Sequence, residues 1–504
     1  MNPKTLFQKK EFYLIIPVIL LLTYLLIRLI NQAQMIQIFP IDAYANDYSS
    51  HIARLWFLAK YGLHQPIQHW YNGNYTLLTH YPPLWYILTL PIYKLTQNPQ
   101  SAAFISLVLM YISSFAILIW FGKTQNLSKI SSAALFFFFF ANPIAIGYFL
   151  RLGKLPEMLG WLFSFIFLAI IFWYKNHKLD WKFILLIPVY ALIHYSHVLV
   201  FIAVSIPLIS LFLIKKTREK IIIAVSVIAT AIITFPFWSI FTKNMSENKI
   251  GTYFSLHWLI QPGNMTDKIT SIIVPVMFLT IFYLYYKSIQ EHNTTIKHKE
   301  LLFYLPIIFF SILYAARLAC FIPIINRPTP DTYNFLLIFI SSFLFLKINF
   351  RKLKLQKYIA PLLIIVVIIG IILSTTLTTP FKPHTQEVKD TLKILEDVDY
   401  KFRISENPPS VNGRAITSYA PIYLNLSTPG GWASLNLSKE YIDLLSAQTE
   451  AVKSKDCVKT ESSMRNLQTK ELITFNEYCY FLESCGFQKK KQINNVCLYI
   501  IYGG

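Results

Sequence analysis

The residues best spaced for chemistry lie in the first third of the chain. Asp42 precedes Asp47-x-x-x-His51-x-x-Arg54. In a helix starting near Asp47, the last three recur at i, i+4 and i+7 and share one face, leaving Ile52, Leu55, Trp56 and Ala59 on the other. This describes an amphipathic helix lying on a membrane, apolar face down, with a row of base, imidazole and guanidinium facing up. Asp47 is equally suited to a plain N-cap that accepts bonds from the first free amides. Asp42 is a second acid or a loop carboxylate.

Further along is Arg151-Leu152-Gly153-Lys154-Leu155-Pro156-Glu157. A carboxylate beside two cations is either an exposed ion pair, worth little, or the second acid of a site for a phosphate or a metal. His80 and Tyr81 precede the Pro82–Pro83 pair, and Arg327 sits in a Pro-rich turn. His194 and His197, at i, i+3 on one helix face, offer two ligands to a phosphate or a metal, or are ordinary residues at the end of a span.

The frame that must position these groups is apolar: 55% of residues are hydrophobic and 14% charged, far from a soluble composition. Runs at 11–31, 101–122, 130–150, 158–174, 182–197, 198–214, 221–240, 269–286, 300–320, 333–346 and 358–376 predict an all-α domain crossing the bilayer about eleven times. The unbroken Phe136–Phe140 stretch reads as lipid-facing. The net charge of +21 collects in short loops between the runs, which argues for the positive-inside rule and against nucleic acid. That pattern predicts a cytoplasmic N-terminus, a first run kept as an uncleaved anchor, and an outward C-terminus. Pro82–Leu95, short and proline-rich, reads as an interfacial or re-entrant helix within a first external loop at 32–100.

The chain thus divides into a transmembrane domain at 1–378 and a soluble, extracytoplasmic one at 379–504. Strand-like Ala415–Tyr419, the turn Pro429-Gly430-Gly431, helix-like Lys439–Val452 and strand-like Val496–Tyr502 make the second a small α/β module. It carries Cys457, Cys479, Cys485 and Cys497, an even set outside the membrane that predicts two disulfides, with three pairings possible.

The order of parts resembles the GT-C superfamily of integral-membrane glycosyltransferases: an anchor, an external loop with an acidic motif, a Tyr81-Pro82-Pro83-Leu84 element, then a span ending in a Gly/Arg/Glu turn. Asp47-x-x-x-His51, Gly62, Pro66, Trp70 and His80–Leu84 are similar to the 6-pyruvoyl-tetrahydropterin-synthase-related prokaryotic membrane proteins. The resemblance is specific over about residues 35–160 and architectural beyond. It implies Asp47 as the catalytic acid or base and Glu157 as the second external acid. It also implies a polyprenyl-phosphate sugar as donor, a glycan, lipid or protein acceptor, and a site at the outer face of the plasma membrane. Arg151, Lys154, His194, His197 or a divalent ion (Mg or Mn) would offset the leaving phosphate. No Trp-Trp-Asp-Tyr-Gly motif follows in the C-terminal region, where Gly431-Trp432-Ala433 stands instead, which speaks against protein N-glycosylation. The rival reading is a polytopic transporter or lipid flippase; it expects mid-membrane charges and internal repeats, whereas the charges here gather at the outer surface.

Overall fold

The computed structural model describes residues 12–41, 47–245, 265–289, 294–316, 318, 330–350, 352–353, 355–377, 383–432 and 437–502. Asp42 and Arg327 lie outside them, as does the side chain of His80.

Every apolar run coincides with a helix. In chain order these are α1 (Phe12–Gln37), α2 (Tyr48–Tyr61), α3 (Leu77–His80), α4 (Leu84–Thr96), α5 (Pro99–Thr124), α6 (Lys129–Phe140) and, after a kinked Pro143–Arg151 segment, α7 (Leu155–Asn176). Then come α8 (Leu186–Ser196), α9 (Val198–Ile214), α10 (Thr217–Met245), α11 (Met265–Ser288), α12 (Thr294–Ala315), α13 (Pro330–Lys347) and α14 (Gln356–Leu377). Among the described residues, five helices are long and apolar enough to cross a membrane, six when α6 and the Pro143–Arg151 segment, bent by 52°, count as one span. Four shorter apolar helices accompany them. The protein is therefore a membrane protein, and length and composition support five or six spans where the sequence predicts about eleven.

Local chemistry sets the boundaries. Asn98 caps α5 by accepting from the Ser101 amide, with Pro99 in the first turn. Ser128 does the same for α6 through the Ser131 amide. Asn142 restarts the chain after the bend by accepting from the Ala145 amide. The phenylalanine run does not face lipid: Phe136, Phe137, Phe139 and Phe140 are buried. Phe139 meets Phe165 edge-on at 5.0 Å and Phe335 at 5.6 Å, so α6, α7 and α13 share an aromatic core.

The C-terminal region is a four-stranded sheet ordered β1-β2-β4-β3. Its strands are β1 (Phe402–Ile404), β2 (Glu471–Phe475), β3 (Gln488–Ile493) and β4 (Val496–Ile500), flanked by α15 (Gln386–Leu395), α16 (Gly413–Leu424), α17 (Lys439–Lys453), α18 (Cys457–Asn466) and α19 (Glu477–Ser484). β1 runs parallel to β2, and β4 pairs antiparallel with both β2 and β3. Ala415–Tyr419, expected as a strand, lies in α16: Asn412 caps it by accepting from the Arg414 and Ala415 amides, and Ala415, Ile416, Thr417, Ser418, Ala420 and Pro421 are buried. The disulfides pair Cys457 with Cys485 and Cys479 with Cys497.

Candidate active site

Asp47 opens α2 without capping it. Its side chain accepts no bond from the helix amides and turns to two partners from distant parts of the chain. Lys154 Nζ lies 2.5 Å from Oδ2, and Trp432 Nε1 donates to Oδ1 at 3.1 Å. The backbone explains how Lys154 arrives. The Asp47 amide donates to the Leu152 carbonyl at 2.6 Å, and Gly153 then turns with φ +70°. A Cβ on Gly153 would stand 2.2 Å from Tyr48 Cδ2. Only glycine accepts both that conformation and that approach.

The Asp47 side chain is 20% exposed. Burial alone would push its carboxyl up, but Lys154, helped by Arg54, outweighs it and holds the group below the usual aspartate value. Asp47 is thus ionised at neutral pH.

α2 is not a surface helix. It is buried on nearly all sides, including His51 and Arg54, because α4 and α5 pack on one flank and α16 covers another. His51 Nδ1 bonds the Tyr86 hydroxyl at 2.7 Å. Burial, opposed by Asp47, holds the imidazole well below its ordinary value, so it is neutral. Arg54 donates through Nε to the Tyr75 hydroxyl at 2.8 Å, and its guanidinium lies 4.9 Å from the Tyr81 ring centroid. The predicted upward-facing row is real as a row, but it points into protein rather than water.

Glu157 does not pair with the neighbouring Lys154. It is 1% exposed and accepts from Tyr148 at 2.9 Å and from Thr332 of α13 at 2.8 Å. His197 Nε2 approaches it at 3.6 Å. His194 and His197 do not share a helix face, because α8 ends at Ser196 and His197 is extended. His194 packs instead against Trp238, Phe201 and Phe237. Arg151 ends the kinked segment, half-buried.

Asp47 faces a cavity of about 900 Å³ whose other walls come largely from the C-terminal region, with Arg403, Arg414 and Trp432 among them, and from Tyr71 of the first loop. The first loop is docked there by its backbone. Thr428 N donates to the His69 carbonyl at 2.9 Å and Tyr71 N to the Gly430 carbonyl at 3.2 Å, while Trp70 Nε1 donates to the Thr417 carbonyl at 2.8 Å. Gly431 lies against Tyr71, where a Cβ would come within 2.6 Å of the ring. Sequence reasoning missed Trp432, Tyr71, Arg403 and Arg414. The Pro429-Gly430-Gly431-Trp432 turn was the one available sign.

Among the described residues, no three His, Cys, Asp or Glu side chains lie together, and the Asp47 carboxylate is already committed to Lys154 and Trp432, so these residues form no all-protein cage for a divalent ion.

The chain is similar in fold to the arabinofuranosyltransferase AftD from Mycobacteria, solved by cryo-electron microscopy. The identity is 12% and the TM-score 0.54, over 96% of this chain and 40% of that one. A mutant of the same enzyme gives 12% and 0.53 over 96% and 41%. This chain thus spans about 40% of the length of the enzyme that it matches, and the likeness is one of fold. No curated protein matches. The family whose model matches is not the pterin-synthase-related branch suggested by the His51 and His80–Leu84 pattern. It is another, matched over residues 42–385, from the acidic loop to the edge of the C-terminal region. The chain belongs to the EpsG family.

Proposed function

We propose that the protein is a GT-C-type membrane glycosyltransferase that moves a sugar from a polyprenyl-phosphate donor to an acceptor at the outer face of the plasma membrane. The observation that carries this reading is the Asp47 carboxylate, ionised and facing a cavity formed between the membrane domain and the C-terminal region. The fold likeness to AftD supports it. The disulfides support an oxidising, extracytoplasmic setting for the C-terminal region, with the N-terminus inside.

An acceptor hydroxyl in the cavity attacks the anomeric carbon as the bond to the lipid phosphate breaks. The transition state is oxocarbenium-like, and an ionised Asp47 stabilises the positive charge. Asp47 is a weak base, but a weak base suffices: the hydroxyl proton becomes strongly acidic once its oxygen bonds to carbon, and it passes late to Oδ2. Lys154, released from Oδ2 at that stage, and Arg151 offset the charge growing on the phosphate. Trp432 fixes the carboxylate through Oδ1. Glu157 is a positioning residue: it holds the Tyr148 hydroxyl, and the Lys154 ammonium lies 5.8 Å from the Tyr148 ring centroid. His51 and Arg54 support the start of α2 from below.

The test is release of free polyprenyl phosphate from a panel of lipid-phosphate sugars, with an acceptor extract supplied. Wild type releases it from one donor class. No release from any donor contradicts the proposal.

A further inference from the structure

The cavity above Asp47 has a charge pattern that the transfer chemistry does not use. Arg403 reaches its wall from β1, with Nε donating to Gln448 at 2.8 Å and Nη2 to Thr449 at 3.1 Å. Nη1 points past Gly430, whose added Cβ would stand 2.8 Å from it. Arg414 lies in the first turn of α16 and is exposed on the same cavity. Both guanidiniums, along with Arg54, oppose the upward push of burial on the Tyr71 hydroxyl. Among the described residues, neither pairs with a carboxylate. Burial leaves Arg403 undercompensated, down at about 10, with only the phenols of Tyr441 and Tyr71 to oppose it. Two helix starts, at Thr385 of α15 and Asn412 of α16, line the same cavity and add the positive ends of their dipoles. Among the described residues, the acids on the cavity are Asp47, already paired with Lys154, and Glu406.

A guanidinium held by two neutral side chains and facing open space lacks the partner that its fork geometry fits, a carboxylate or a phosphate. The cavity is near the upper end of the range of small-molecule sites, about 300–1,000 Å³, and has room for a short saccharide. We propose that Arg403 and Arg414 form a subsite for an anionic saccharide, so that the acceptor carries a carboxylate or phosphate group beside the hydroxyl presented to Asp47. This rests on the glycosyl-transfer reading for the word acceptor, but the anion subsite itself does not.

The test is binding to full-length detergent-solubilised protein of trigalacturonate, phosphorylated maltotriose and neutral maltotriose, measured calorimetrically. At least one anionic sugar should bind about tenfold tighter than maltotriose, and added salt should weaken it. Arg414→Gln, at an exposed position, should bring it to the neutral level, as should Arg403→Gln. Preference for trigalacturonate names a carboxylate, and preference for the phosphorylated sugar a phosphate. Equal binding of neutral and anionic sugars, no binding of either anionic sugar, or a preference unchanged in Arg414→Gln overturns the inference. Donor release measured separately, with the acceptor extract supplied, distinguishes the two failures. Release with no charge preference sinks the subsite alone, whereas charge-selective binding with no release from any donor leaves an anion site and sinks the transferase.

Discussion

Lys154 Nζ lies 2.5 Å from Asp47 Oδ2, although 107 positions of chain separate them. Two segments that a sequence presents as separate motifs thus meet at one carboxylate, closed by Trp432 on its other oxygen. The pair sets the ionisation of the carboxylate, and most of the account's consequences follow from it.

Lys154→Met should move the acid limb of the pH–rate profile upward. In the native protein the Asp47 carboxyl is held below its usual value, so the ionised form, and activity that needs it, persists until pH falls through that lowered value. The same depression contributes stability above the unfolded aspartate value that is lost on acidification. Without the ammonium, burial is opposed only by weaker groups and the carboxyl rises. An acid limb that stays in place would show that Asp47 does not set it.

Trp432→Phe keeps the ring and removes the donor to Oδ1. A hydrogen bond to an ionised carboxylate, about 1.5–3 kcal/mol, predicts a loss of about tenfold to a hundredfold in kcat. Steady-state kinetics beside a thermal unfolding curve separates this from a folding defect. An unchanged kcat would remove the C-terminal region from the chemistry.

Gly153→Ala and Gly62→Ala form a controlled pair. Both glycines have positive φ, but a Cβ at Gly62 meets nothing within 4 Å, whereas at Gly153 it meets Tyr48 at 2.2 Å. Gly62→Ala should cost about 1–3 kcal/mol, because its φ of 73° with ψ of −163° is a conformation essentially reserved to glycine. Gly153→Ala should cost about 1–3 kcal/mol more from overpacking and pull Lys154 off Asp47. Equal melting shifts in the two variants would mean that the Tyr48 contact yields freely.

Much of the fold was legible because apolar runs of spanning length leave little choice but helix. Asp47 and Lys154 were legible as candidates because charges near a membrane are costly and few. Their pairing was not, because it depends on a glycine turn and a backbone bond from Asp47 to Leu152, which carry no side-chain signal. The orientation of α2 was misjudged for a related reason. Polar residues at helical spacing mark a distinct face but not whether that face meets water, and here tyrosines 75, 81 and 86 enclose it. Ala415–Tyr419 reads as a strand by residue type, yet the Asn412 cap and the burial of α16 against its neighbours prevailed. The role of Trp432 was not legible beyond its place after a Pro-Gly-Gly turn, since a lone tryptophan has no periodicity to betray a partner some 385 positions away.

The C-terminal region should be reached from outside the cell. A membrane-impermeant maleimide should label Cys457 and Cys485, which are half-buried, in intact cells only after reduction, because they are paired with each other, whereas the buried Cys479 and Cys497 should need denaturation as well. Labelling without reduction, or only after lysis, would place the region in the cytoplasm and reverse the proposed orientation.

The most direct measurement compares wild type with Asp47→Asn for release of polyprenyl phosphate from the lipid-phosphate sugar that wild type uses, at equal membrane insertion. The substitution keeps the shape and the Trp432 contact while removing the charge and the base. The account predicts release by wild type and none above background by Asp47→Asn. Release by Asp47→Asn at the wild-type rate would contradict it.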